Sequence, residues 1–430
     1  MKKGKVDIVT LGCSKNLVDS EQLMRQFDAL GYTVSHDSPE PDGEIVIINT
    51  CGFIGDAKEE SINTILQFAG RRKQLQMDKL FVMGCLSERY QKELEREIPE
   101  VDKFYGKFNY TNILTDLGKE YRADLRLERS LTTPGHFAYL KISEGCNRSC
   151  TYCAIPIITG RHRSRSFEDI EGEVKALVAK GVKEFHVIAQ DLSSYGLDRY
   201  KAQKLPELIE RIADLPGVEW IRLHYAYPAH FHYDILRVMR ERDNVCSYLD
   251  IALQHISDNM LTTMHRHITK EQTYELIRRI REEVPGIHLR TTMLVGHPGE
   301  TEQDIEELKD FLRYARFERL GAFAYSHEEG TYAYRHYTDS IPEEVKQARL
   351  DEVMRVQQGI AAEINASKIG STLKVIIDRS EGEYFVGRTE FDSPEVDPEV
   401  LIPAGTPGVK VGEFYTAYIA DATDFELFGR

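Results

Sequence analysis

The chain has 430 residues, of which 41% are hydrophobic, 29% charged and 10% aromatic, with 30 glycines and 15 prolines. That composition excludes collagenous, low-complexity and disordered readings and suggests about three domains. Its 55 Lys and Arg against 70 Asp and Glu give a net charge of −15, the wrong sign for a protein held to bulk nucleic acid by electrostatics alone.

The opening stretch MKKGKVDIVTLGC carries lysines but no small-residue cleavage site, so no secretory leader is expected and the cytoplasm is the expected compartment. No apolar run approaches the ~18 residues of a membrane span. The first 120 residues read as strand–helix repeats. Runs 5–12, 44–50 and 79–84 are apolar on both faces and alternate with helical patterns, which predicts a parallel sheet. Ser87 is the expected N-cap of the third helix. Residues 105–135 read as a connection with some helix.

A second series follows, with strands at 137–143, 184–189, 219–225, 248–253, 288–296 and 320–326. Helical patterns near 167–181, 204–215, 232–242, 270–284 and 301–317 separate them. Six such units predict an open barrel, two short of the closed eight-stranded form. A long helix runs from Pro342 to about Ile369, with Gly370 at its end. Beyond 371, short alternating strands between Gly-, Pro- and Asp-rich turns predict a small antiparallel barrel.

Seven cysteines in a reducing compartment make no disulfide framework. Cys13, Cys51 and Cys85 each close one of the first three strands, beside Gly12, Gly52 and Gly84. Ligands of open α/β sheets gather at such strand ends, so the three are either a shared ligand set or three buried thiols. Cys146, Cys150 and Cys153 form a C-x3-C-x2-C cluster directly after the first barrel strand, at the end where barrel active sites lie. Cysteine thiolates are the usual ligands of iron–sulfur clusters, and three of them leave one iron of a cubane open. The competing readings are a zinc knuckle completed by His162 and a ferredoxin-like carrier. The usual paired C-x2-C spacing of zinc is missing, and a carrier needs a full ligand set and no barrel.

With its aromatic Tyr152 before the last cysteine and its six-unit barrel, the chain resembles the radical S-adenosylmethionine superfamily. The preceding cysteine triple and the small tail barrel narrow the resemblance to the methylthiotransferases, over essentially the whole chain. The stretches 11–21, 187–196, 248–257 and 291–301, with Ser14-Lys15-Asn16 and Gln190-Asp191, resemble the ribosomal-protein aspartate branch more than the tRNA adenosine branch. Ala252 departs from the family, which more often has Pro there.

The resemblance implies three units: a methylthiotransferase domain at 1–120, a radical core at 132–361 and a TRAM domain at 364–430. It implies two 4Fe–4S clusters, one on Cys13, Cys51 and Cys85 and one on Cys146, Cys150 and Cys153, the latter binding S-adenosylmethionine. Tyr152 would meet the adenine, and Gly296 in the VGHPGET turn, with Gly299 and Thr301, would contact the cosubstrate. No further catalytic residue is expected. The implied activity is methylthiolation at Cβ of an aspartate on the twelfth small-subunit ribosomal protein, with an electron donor and a sulfur source as partners and neither tRNA nor a membrane. The alternatives are tRNA adenosine methylthiolation and a non-catalytic iron–sulfur or zinc-binding protein. His224, His255 and His297 read as barrel lining, Arg161–Arg165 as a basic surface stretch, Trp220 as core, and Cys246 as a structural thiol before its strand. The tail from Ile364 carries six basic and twelve acidic residues, which suits a basic protein partner better than phosphates.

Overall fold

The alternation of side chains along a strand decides how the amino-terminal segment folds. In this computed structural model, which describes residues 4–430, its strands are β1 (Lys5–Thr10), β2 (Thr33–His36), β3 (Ile45–Thr50), β4 (Lys79–Gly84) and β5 (Lys103–Phe104). They form one parallel sheet in the order β2-β1-β3-β4-β5. Ile45 and Ile47 of the central β3 pack toward helix Ser14–Ala29, while Val46 and Ile48 pack toward helices Gly55–Arg71 and Cys85–Glu97. Met1, Lys2 and Lys3, part of the stretch read for a leader, lie outside the described residues. β2 and β5 are short edge strands whose mixed composition gives no apolar run. The third helix starts at Cys85 rather than after Ser87, because Gly84 at φ 102° turns the chain directly into it.

The second sheet contains β6 (Phe137–Lys141), β9 (Glu184–Ile188), β10 (Trp220–Ala226), β11 (Val245–Ile251), β12 (His288–Val295) and β13 (Arg319–Ala324). A two-stranded ribbon, β7 (Ser143–Glu144) with β8 (Arg163–Ser164), follows β6. The six strands are parallel in the order β13-β12-β11-β10-β9-β6, an open barrel as expected. Helices Phe167–Val178, Leu205–Ala213, Asp234–Glu241, Lys270–Glu283 and Glu302–Ala315 cover its outside. Cys246 lies inside β11, not before it, in a buried group with Trp220, Tyr248 and Ile376. The helix Glu343–Ala366 packs on β13 and leads to the tail.

The tail closes into a barrel of β14 (Thr372–Glu381), β15 (Tyr384–Thr389), β16 (Glu399–Pro403), β17 (Phe414–Ala422) and β18 (Glu426–Gly429), in the order β14-β15-β16-β18-β17. Its pairs are antiparallel except β16 with the unforeseen β18, which run parallel. Among the described residues no helix is long and apolar enough to cross a membrane.

The two outer units occupy opposite ends of the open barrel. The tail seats on the amino ends of the strands. There fully buried Glu184 meets Arg222 at 3.0 Å and Arg388 at 2.8 Å, Arg319 meets Asp392 at 2.6 Å, and Trp220 stands edge-on to Phe414. The amino-terminal sheet covers the carboxyl ends, where Arg89 reaches Glu328 at 2.8 Å and Lys107 reaches Glu144 at 3.6 Å. Barrel strands of five to eight residues put about 20 Å between the two seams.

Candidate functional site: two cysteine triples across one seam

The first triple is gathered by Asn16. Its carboxamide nitrogen donates to the carbonyl of Leu11 at 3.0 Å, just before Gly12-Cys13, and to that of Thr50 at 3.1 Å, just before Cys51. Its carboxamide oxygen accepts from the Cys85 thiol at 3.6 Å. One side chain therefore ties the three strand ends together. A Cβ on Gly12 would stand 3.0 Å from Cys51 Sγ, so only glycine lets the Cys13 and Cys51 segments pass this closely. Ser61 clips Cys51, accepting from its N–H and donating to its carbonyl, both at 3.0 Å. Cys13 is exposed, whereas Cys51 and Cys85 are buried.

The surroundings of these thiols differ. Burial pushes the Cys85 thiol up to about 12, with Lys107 opposing. Burial also raises Cys51. At the more open Cys13 the ammonium groups of Lys15 and Lys107, together with backbone N–H donors, hold the thiol below the ordinary value.

The second triple sits in a loop clamped by the β7–β8 ribbon. Gly145 has φ 86°, and a Cβ there would fall 2.2 Å from the Arg161 carbonyl oxygen. That close approach lets Cys146 N–H reach the Gly160 carbonyl at 3.1 Å. Arg266 spans the other side: it donates to Cys150 Sγ at 3.1 Å and to the Tyr152 hydroxyl at 3.3 Å, and lies 4.3 Å from the Tyr227 ring. Arg148, inside the loop, is fixed by Asp191 at 2.7 Å and stacks on the other part of this group, 4.0 Å from Tyr227. Burial raises Cys146 to about 11 and pushes Cys153 higher still. Ligation would release protons here, with guanidinium groups ready to balance the thiolates.

The two units meet beside these cysteines. Cys85 lies in one buried apolar group with Ala154, which directly follows Cys153, and Ile158, one helical turn further on. Beside them Lys107 and Lys141 interleave with Asp19 and Glu144, and Gln190 donates to Glu144. Burial raises Glu144, but Lys141 and Lys107 outweigh it and hold the carboxyl at about 2. A cavity of about 600 Å³ opens along the same seam, lined by Phe53 and Ile54 from the first unit and by Tyr152, Gln254, Tyr325 and Lys346 from the barrel side. It lies in the size range of cofactor sites.

The remaining sequence candidates separate. His162 is bound to Ser164 at 3.1 Å within the ribbon and does not complete a cysteine set. Among the described residues no three His, Cys, Asp or Glu side chains converge to hold a single metal ion. A cubane gives each thiolate its own iron, so it does not require that convergence. The Gly296 N–H is taken by Glu300 at 2.8 Å and its Cα is covered by the Lys346 stem, while Thr301 caps the following helix. His224 bonds His186 at 3.2 Å, His255 stands 3.6 Å from Glu300, and His297 bonds Thr151 at 3.3 Å. All three line the barrel. Arg161 and Arg163 are exposed, whereas Arg165 is tied to Glu173 at 2.6 Å.

Arg266, Tyr227, Lys107 and Asp19 carry no sequence signal for this site. They come from four separate elements with no shared spacing, and only the fold brings them together.

Family models match three stretches: the Radical SAM superfamily at 140–312, the uncharacterized protein family UPF0004 at 5–106 and the TRAM domain at 369–430. The chain is 68% identical over 430 residues to a protein of Bacteroides thetaiotaomicron named ribosomal protein uS12 methylthiotransferase RimO, covering 100% of this chain and 99% of that one. A protein of the same name from Porphyromonas gingivalis is 62% identical over 431 residues, again covering 100% and 99%. Among solved structures, the radical S-adenosylmethionine methyltransferase TsrM of Kitasatospora setae matches with TM-score 0.55 and 16% identity, over 75% of this chain and 72% of that one. At that identity the likeness speaks for the fold.

Proposed function

This chain belongs to the ribosomal protein uS12 methylthiotransferase RimO family, and from that membership we propose that it attaches a methylthio group to Cβ of an aspartate in uS12. The observation that supports the chemistry is the seam that brings Cys85 of the first triple into one buried group with Ala154, the residue after Cys153 of the second. We assign the work to three stretches, 1–120, 132–361 and 364–430, and the compartment to the cytoplasm.

The donor sets fit two 4Fe–4S clusters. Cys13, Cys51 and Cys85, held by Asn16, would bind one, and Cys146, Cys150 and Cys153, beside Arg266, would bind the other together with S-adenosylmethionine. When bound, these groups supply one-electron reduction of the sulfonium, a radical that abstracts hydrogen, and sulfur for transfer. Three thiols per triple leave one iron without a protein ligand in each.

The chain's own residues set the conditions. Arg266 donates to Cys150 Sγ and places a guanidinium charge beside it. Tyr152 presents its ring to the cavity, oriented by the same guanidinium, which suits an adenine. Gly296 stands at the end of β12 beneath Lys346 and would shape the cosubstrate pocket rather than donate its committed N–H. The apolar Cys85–Ala154–Ile158 contact keeps water from the seam. An electron donor and a sulfur source are required partners.

The substrate surface follows from the tail. Asp378, Asp392 and Asp397 are buried in the seam and spent on arginines, but Glu381, Glu383, Glu395 and Asp421 remain exposed. Acidic patches suit a basic ribosomal protein and repel tRNA phosphates. The test is anaerobic reconstitution followed by mass spectrometry of uS12. One methylthio gain on an aspartate, with 5′-deoxyadenosine formed and uS12 affinity falling as salt rises, is the expected result. Methylthiolation of a tRNA adenosine instead would overturn the substrate assignment.

A further inference from the structure

One ammonium of this seam makes no direct ion pair. Lys107 and Lys141 share the two carboxylates Asp19 and Glu144. Lys15, from the first turn after Cys13, shares neither. Its ammonium lies 3.6 Å from the ring centroid of Tyr225, and among the described residues it has no ion pair or hydrogen bond. Only 9% of the residue is exposed. Cys13 and Glu144 favour its charge from beyond contact distance, but among the described residues no carboxylate touches it, and a ring face offsets only part of the cost of holding an ammonium largely out of water.

The barrel side of the contact is strained. Tyr225, at the carboxyl end of β10, has φ 65°, a left-handed conformation that bulky residues rarely adopt. Its N–H donates to Asp250 at 3.2 Å, which holds the backbone there. Such strain collects at ligand-binding positions. An unpaired cation two residues from Cys13 and a strained ring at the barrel mouth thus meet in the seam between the triples.

We propose that Lys15 determines specificity by receiving the side-chain carboxylate of the substrate aspartate. This inference rests on the functional reading above. The carboxylate carbon is bonded directly to Cβ, so gripping the carboxylate also locates the carbon to be modified. A neutral asparagine or an adenine would leave the ammonium without a carboxylate in direct contact, and a site built for one polar partner rejects analogues that lack it.

The experiment compares binding of uS12 carrying Asp or Asn at the modified position to the full reconstituted chain, by titration calorimetry. Wild type should prefer Asp about tenfold or more, as a charge-assisted hydrogen bond implies. Lys15→Gln should bind both forms alike, at the weaker affinity, while Lys15→Arg and Tyr225→Phe keep the preference. Lys15→Gln that retains the preference, or that weakens both forms equally, overturns the inference and leaves Lys15 a structural contact. If wild type methylthiolates the aspartate yet shows no preference, the inference falls alone. If it neither binds nor modifies uS12, the functional reading falls and the inference with it.

Discussion

Cys85 shares one buried apolar group with Ala154, so the last ligand candidate of the amino-terminal triple lies beside the residue that follows the last cysteine of the barrel triple. The two sets arise 61 residues apart at their nearest members, Cys85 and Cys146, and belong to separate sheets. Each is gathered by its own scaffold, Asn16 on one side and the β7–β8 ribbon on the other.

Separate scaffolds imply separable clusters. Cys150→Ala should abolish cleavage of S-adenosylmethionine to 5′-deoxyadenosine. Cys51→Ala should keep most of that cleavage and stop sulfur insertion. Iron per chain should fall by about half in either variant if each triple holds its own cluster. Equal loss of cleavage in both would refute two independent sites.

Asn16→Ala removes donors to two carbonyls and the acceptor for the Cys85 thiol. Unsatisfied buried groups of this kind cost about 1–3 kcal/mol each. The expected outcome is a lower melting temperature and iron loss confined to the first triple, with S-adenosylmethionine cleavage retained. Iron analysis of the variant in a Cys150→Ala background checks the assignment, since almost no iron should then remain.

Cys246→Ser should leave iron content and turnover near wild type. The thiol is buried among Trp220, Tyr248 and Ile376 at the barrel's amino end, far from both triples. Burying a hydroxyl there should cost about 1–3 kcal/mol, visible as a modest fall in melting temperature. Loss of a whole cluster would mean a misassigned ligand.

The tail seam predicts acid sensitivity. Burial raises Glu184, but Arg388, His186 and Arg222 together hold it well below the ordinary carboxylate range. Burial likewise raises Asp378, and Arg388 and His136 reverse it. Because the folded pKa values are depressed, this stability is fully present above the unfolded carboxylate range near about 4 and is lost progressively as pH falls from there through the lower folded values. Melting temperature should hold from neutral pH to about 5 and fall below that. Glu184→Gln, which strips buried Arg222 of its charge partner and Arg388 of one of its two, should cost about 3 kcal/mol and flatten that pH dependence, as calorimetry at several pH values would measure.

Much of this architecture is written in local pattern. β3 is apolar at every other residue on both faces and so reads as a central parallel strand, and C-x3-C-x2-C is visible because its members lie within one loop. The strand-end positions of Cys13, Cys51 and Cys85 follow from the same periodicity. Short strands such as β2, β5 and β18 lack enough residues to show a period, and β18 is held by its neighbours in a closed barrel. Glycine at φ 102° started the third helix two residues before the expected cap, since backbone geometry there outranks side-chain capping preference.

The chemistry-bearing residue types were thus set by the sequence itself, because cysteine spacing within a loop or at strand ends survives without knowledge of contacts. What only the tertiary structure decided is which groups share a space. Arg266 beside Cys150, Lys15 over Tyr225 and Cys85 against Ala154 are pairings across 116, 210 and 69 residues. The same holds for the tail's acidity: the six-to-twelve count is read from composition, but burial of Asp378, Asp392 and Asp397 against arginines removes part of it from the surface. Local periodicity reports which face of an element is buried; it carries no information on what the buried charge will meet, since that depends on the packing of elements distant in the chain.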